Sequence, residues 1–201
     1  DPESLYHEYH QRLAEHRFTG SGSVHPSASI NIVSADKVTI DFSATAAGLR
    51  RSYNDGIVHY QASPQWLGDA TKINPTWLGI STSGDNFLPT LQEVYRKLAV
   101  EYRKSGMMKN TYLYFIDEAL PEFYPKFQEI ASRIRASDPA WQIMTTFYHL
   151  KEPEIIAPFI DIWCVEQTLF SGKIDFFRKE KQNGKSIWIY KNDFHLIDET
   201  R

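Results

Sequence analysis

From residue 85 onward the chain alternates apolar, β-prone runs with amphipathic stretches, and this alternation constrains its fold more than any other feature. Residues 111–116, 141–146, 160–165 and 185–190 read as strands. Residues 85–107 and 121–136 read as helices, 152–158 as a short helical turn, and 172–182 as a further helix closed by Asn183-Gly184. Strand and helix taking turns at spacings of roughly 25 residues predict βαβ units and a parallel sheet. The strand runs are apolar on both faces, as expected where helices cover a sheet. No glycine-rich phosphate loop follows a strand, which disfavours a doubly wound nucleotide-binding fold. The expectation is therefore an α/β fold of the TIM-type (β/α)8 barrel kind. Six or seven strands are legible, so residues outside this chain are expected to complete the barrel.

The first half is less regular. Residues 2–16 form a helical pattern with Leu5, Tyr9, Leu13 and Ala14 on one face, and 37–42 alternates like a strand. Residues 17–19 read as a short strand, and 57–60 as a strand after the Asn54-Asp55-Gly56 turn. The rest of 21–83, rich in Ser, Thr, Pro and Gly, reads as long loops, which in a compact domain are often functional. With 201 residues, 42% of them hydrophobic, the chain can bury one good core, and a single domain over 1–201 is the expectation.

A net charge of −3 gives no reason to expect a nucleic-acid partner, which needs a basic surface. No run approaches ~18 consecutive apolar residues, so no membrane span is predicted. The one cysteine, Cys164, sits in the apolar run Ile162-Trp163-Cys164-Val165 and reads as buried and inert. No histidine pair carries metal-ligand spacing with an acidic partner, so neither a metal nor another cofactor is expected. There is no G-x-S-x-G elbow. The 12 Phe, 11 Tyr and 5 Trp either fill the core or line a cleft where flat rings stack on sugar faces; composition alone does not decide.

In a β/α barrel, function sits at the C-terminal ends of the strands. That rule selects Asp117 and Glu118, Thr145 and Thr146, Glu166 and Gln167, then Tyr190 and Asn192. Asp117-Glu118 stands out: two acids follow six uncharged residues. Successive strand residues face opposite ways, so both acids can meet one substrate only where the backbone turns at the strand end. Two close carboxylates can divide the work, one ionised and one holding a proton, which suits glycosidic cleavage. The other reading is that Glu118 caps the next helix and Asp117 pairs with a nearby cation.

Tyr114-Phe115-Ile116-Asp117-Glu118 resembles the Y-x-x-D-E strand of glycoside hydrolase family 123, a relative of the domain-of-unknown-function family 4091. Other pieces follow in order. Leu13-Ala14-Glu15-His16-Arg17 resembles the family's L-x-x-H-R helix end, residues 141–146 its "m-t-T" strand, Asp161-Ile162-Trp163 its "D-i-W" strand, and Trp188-x-Tyr190 its tryptophan-tyrosine strand. Ala119 and Val165-Glu166 stand where the family carries prolines.

The resemblance implies a retaining β-N-acetylgalactosaminidase on a β/α barrel, in which the substrate's own 2-acetamido oxygen attacks the anomeric carbon. Glu118 would then be the general acid/base, with Asp117 orienting the acetamido group. Tyr190 would hydrogen-bond that group, and Trp163 or Trp188 would form a sugar platform. His149, like His25 and His59, falls at a loop or strand end within reach of a sugar.

Two rivals stand beside this reading. One is a glycosidase of other sugar specificity with Glu166 as nucleophile; in such pairs the carboxyls lie ~5 Å apart in retaining enzymes and ~6.5–9.5 Å in inverting ones. The other is a carbohydrate-binding barrel without activity. The expected partner is a carbohydrate in every case. No feature assigns an oligomeric state or a compartment, though a secreted or periplasmic one is favoured.

Overall fold

The computed structural model describes residues 2–15, 27–69 and 71–190. A first helix, α1 (Pro2–Glu15), forms where helical spacing predicts one, yet Leu5 and Tyr9 remain exposed. The stretch 17–19 and His25 lie outside the described residues. Strands β1 (Ser29–Ser34) and β2 (Lys37–Asp41) pair as an antiparallel hairpin. Helix α2 (Ser43–Asn54) follows, where the sequence suggested loop. Its buried residues, Thr45, Gly48, Leu49 and Ser52, are mostly small, so they leave little apolar signal.

After α2 the chain makes β3 (Tyr60–Gln61), then β4 (Gly68–Asp69), β5 (Lys72–Ile73), β6 (Thr76–Trp77) and β7 (Ile80–Ser81). β4 pairs with β5 and β6 with β7, both antiparallel. The expected long loops are thus largely replaced by a helix and short hairpins. Helix α3 (Phe87–Lys104) buries Leu91, Val94, Tyr95, Leu98 and Tyr102, the spacing that predicts it. It leads to β8 (Thr111–Tyr114), α4 (Tyr124–Ser137), β9 (Gln142–Phe147), β10 (Ile162–Glu166), α5 (Gln167–Gly172), α6 (Ile174–Gln182) and β11 (Ser186–Tyr190). Residues 153–155 and 157–159 are two tight helical turns, and the helix expected over 172–182 is divided between α5 and α6.

The main sheet has five parallel strands in the order β11-β10-β9-β8-β3. It curls into a half-barrel, and no closed eight-stranded barrel forms among the described residues. The remaining described strands lie in the antiparallel hairpins, which corrects the count of six or seven barrel strands.

Alternation along the strands gives the sheet two different faces. Leu113, Phe115, Ile143, Phe147, Trp163 and Val165 join the large core made with α3 and α4. Tyr112, Met144 and Ile162 form a second cluster on the concave face, with Tyr114, Cys164 and Trp188 beside it. The concave set therefore leads up the strands toward Asp117, Thr146, Glu166 and Tyr190.

Candidate functional site

Register places the strand-end residues side by side. Thr146 pairs with Cys164, Cys164 with Trp188, and Glu166 with Tyr190. The segment after β3 runs along β8 toward the acid pair. The Ala62 N–H donates to the Tyr112 carbonyl at 2.8 Å, and Leu67 N–H to the Phe115 carbonyl at 2.8 Å. Gly68 bridges to Ile116 and accepts the Asp117 N–H at 3.3 Å. A side chain at Gly68 has no room: a Cβ there would fall 2.1 Å from the Lys72 carbonyl oxygen.

At the next residue the backbone leaves the strand geometry. Glu118 adopts φ of +48°, the left-handed region that a non-glycine residue occupies only when its surroundings hold it there. This turn supplies what a regular strand could not, a break in the alternation between two adjacent acids.

Thr146 holds both of them. Its hydroxyl donates to Asp117 Oδ1 and accepts the Glu118 N–H at 3.2 Å. The Tyr114 hydroxyl lies 3.0 Å from the same oxygen and donates to Asp117 Oδ1 at 2.5 Å. From the far strand, Tyr190 donates its hydroxyl to Glu118 Oε1 at 3.1 Å. Burial, followed by the neighbouring carboxylates, pushes both phenols well above their ordinary range, so at neutral pH they remain hydrogen-bond donors. For Tyr190 the raising charges include both Glu118 and Asp117, which places the two acids in one electrostatic neighbourhood. Beneath them, burial and the Asp117 charge lift the Cys164 thiol to about 11, so it is not a ready nucleophile.

Two of the sequence-derived candidates take other positions. Trp163 is fully buried, its ring packed against Phe147, Phe176 and Phe177 and its Nε1–H donating to Glu180 at 3.1 Å. It lies on the helix-covered face and cannot serve as a sugar platform, because strand alternation turns it away from the concave side. Trp188 does face the concave side, but its ring meets Tyr112 and His59 edge-on at 5.2 and 5.6 Å and fills the curl of the sheet.

Glu166 stands at the strand ends and caps α5. Its Oε2 accepts the N–H groups of Thr168 and Leu169 at 2.6 and 3.1 Å, and its Oε1 the Thr168 hydroxyl at 3.3 Å. His149 is exposed, tilted against Tyr148 with ring centroids 4.0 Å apart. It lines, with Tyr148, Glu166 and Leu169, an open hollow of about 490 Å³. Asn192 lies outside the described residues.

Thr146, which the strand-end rule selects, is joined by Tyr114 and Trp66, to which sequence reasoning gave no role. Tyr114 and Thr146 bind the acids directly, and Trp66, 41% exposed, stands edge-on to Tyr114 at 4.8 Å. Period-two alternation along β8 and β9 carries the signal for the first two. Trp66 sits in the irregular segment, where no periodicity marks it. Among the described residues no three His, Cys, Asp or Glu side chains are grouped to hold a metal ion, and no helix is long and apolar enough to cross a membrane.

No protein-family profile matches the chain, and no curated protein matches it. Among solved structures it resembles a family 123 glycoside hydrolase from Clostridium perfringens that hydrolyses glycolipid glycans, with TM-score 0.60 and 12% identity over 84% of this chain and 32% of that one. A glycerophosphodiester phosphodiesterase from Parabacteroides distasonis (TM-score 0.43, 9% identity, 78% of this chain and 52% of that) follows. So does a β-glucuronidase from an uncultured Clostridium species (TM-score 0.42, 15% identity, 72% and 27%). The last two likenesses are too loose to carry an argument. The first is a likeness of fold: the chain has a glycosidase-like α/β fold and spans about a third of that enzyme's length.

Proposed function

We propose that the chain carries the acid/base centre of a retaining glycosidase that removes a terminal β-linked N-acetylhexosamine, N-acetylgalactosamine-like, by substrate-assisted cleavage. The observation that carries this reading is the single Thr146 hydroxyl that binds both the Asp117 carboxylate and the Glu118 backbone where β8 ends. The order of motifs along the chain and the likeness of fold to a family 123 hydrolase support it.

In this reading the substrate's acetamido carbonyl oxygen attacks the anomeric carbon as the glycosidic bond breaks. Glu118 gives its proton to the departing oxygen. Asp117, its Oδ1 held by Tyr114 and Thr146, accepts the acetamido N–H and stabilises the positive charge of the oxazolinium intermediate. Glu118, now ionised, takes a proton from water as that water opens the ring from the side the leaving group left. Two displacements at one carbon give net retention. Tyr190 orients the Glu118 carboxyl or reaches the acetamido oxygen. The Glu166 capping bonds weigh against the scheme in which Glu166 is the nucleophile, because attack would strip α5 of its N-terminal partner.

The test lies in the substrate. Aryl β-N-acetylgalactosaminides with one, two or three fluorines on the acetamido methyl present a progressively weaker attacking oxygen. Turnover is expected to fall with each fluorine, by ~10-fold or more across the series. A flat response overturns substrate assistance.

A further inference from the structure

We infer that Trp66 is a positioning residue for the acid pair: it acts through Tyr114, holding the Tyr114 hydroxyl where it donates to Asp117. The inference rests on the reading of Asp117 and Glu118 as a sugar-cleaving pair and deepens it.

Each link in this path is a contact. The Tyr114 hydroxyl donates to Asp117 Oδ1 at 2.5 Å, and the Tyr114 ring meets Trp66 edge-on with centroids 4.8 Å apart. The backbone explains why Trp66 stands there. Ala62 N–H bonds the Tyr112 carbonyl and Leu67 N–H the Phe115 carbonyl, so the stretch between them is longer than the piece of β8 it accompanies, and it bulges. Within the bulge the Ser63 hydroxyl oxygen, in place of a backbone carbonyl, accepts the Tyr114 N–H at 2.8 Å. One segment thus grips Tyr114 twice, by its backbone through Ser63 and by its ring through Trp66.

The bulge is itself fixed from the other side. The Gln65 carbonyl accepts the Trp77 Nε1–H at 3.1 Å, and the Gln65 side-chain oxygen accepts the Leu78 N–H at 2.6 Å. The Trp66 carbonyl accepts a hydrogen bond from the Asn74 amide at 3.1 Å. An exposed indole on so anchored a backbone is a fixed wall for its neighbour. Tyr114 needs one, because it is only partly buried, and a phenol swung away from β8 would leave Asp117 Oδ1 to Thr146. Asp117 must aim its other oxygen at the acetamido N–H, and small misplacements of such a group cost rate.

Double-mutant kinetics on an aryl β-N-acetylgalactosaminide separate action through Tyr114 from direct contact with the sugar. Trp66→Ala is expected to lower kcat about five- to tenfold with KM within about twofold, and Trp66→Phe to restore most of that loss. Tyr114→Phe, which keeps the ring and removes the donor, is expected to lower kcat about 10- to 100-fold. In the Tyr114→Phe background Trp66→Ala should cost less than about twofold, because no hydroxyl is left to aim. Losses that multiply in the double variant, a change confined to KM, or full activity in Trp66→Ala would each overturn the inference. The path is also read without turnover, by NMR of protein labelled with carbon-13 at the tyrosine Cζ, the Tyr114 signal being assigned by its absence in Tyr114→Phe. That signal is expected to move when Asp117→Asn is introduced into wild type, and this response is expected to be lost in Trp66→Ala. An equal response in both overturns the inference. If wild type turns over no aryl β-N-acetylgalactosaminide, the hexosaminidase reading fails, and the tyrosine signal still decides whether Trp66 holds Tyr114 on Asp117.

Discussion

Glu118→Gln is expected to lower turnover of an aryl β-N-acetylgalactosaminide by about 10³-fold while leaving the fold intact, since positioned acid/base groups contribute 10²–10⁴-fold. Glutamine matches the size of the glutamate, and its carbonyl oxygen can still accept the Tyr190 hydroxyl. Its backbone can keep the bond from the residue 118 N–H to Thr146. What disappears is the proton that must reach the leaving oxygen. An activated leaving group with a low pKa needs that proton less, so the loss should shrink across a series of increasingly acidic phenols. Full activity in the variant, measured alongside an unchanged unfolding midpoint, would remove Glu118 from the chemistry.

The second large effect concerns the frame rather than the chemistry. Trp163→Ala is expected to destabilise the chain by about 3–5 kcal/mol, the usual range for deleting a large buried aromatic. The indole is fully buried against Phe147, Phe176 and Phe177, so its removal opens a cavity between β10 and α6. It also deprives buried Glu180 of the donor to its Oε2 at 3.1 Å, while the Asn183 amide still donates to Oε1 at 3.2 Å. Trp163→Phe separates the two losses: it restores much of the volume without the N–H and should cost less, about 1–3 kcal/mol. Denaturant midpoints read both. A Trp163→Ala loss below about 1 kcal/mol would contradict this packing and reopen a surface role for the ring.

Trp163 also shows where sequence reading reached its end. The run Ile162–Val165 announces a strand clearly, but both faces of a covered parallel strand are apolar, so nothing in it tells which residue faces the helices. Only the register, with Cys164 opposite Trp188 and Thr146, separates the buried Trp163 from the concave Trp188. The same applies to Glu166. Glutamate is not a favoured capping residue, so its grip on the start of α5 leaves no mark in the sequence.

By contrast, α3 was legible because Leu91, Val94, Tyr95, Leu98 and Tyr102 repeat at helical spacing and all bury. The position of Asp117-Glu118 was legible because charge follows an uninterrupted apolar strand. The left-handed turn at Glu118, however, is imposed by its surroundings, with Thr146 accepting its N–H. That contact spans 28 residues, and local pattern carries no such information. Residues 60–81 were opaque for a related reason: two-residue strands are too short to alternate, and their pairing is set by turns and by contact with β8.

The central claim is that the acid pair works with the substrate's own acetamido group. Turnover of two aryl β-glycosides differing at one position, 2-acetamido against 2-hydroxyl in the galacto series, tests it most directly. The account expects hydrolysis of the acetamido sugar and a loss of at least about 10³-fold in kcat/KM for the hydroxyl sugar, which lacks an internal nucleophile. Comparable hydrolysis of both would contradict it.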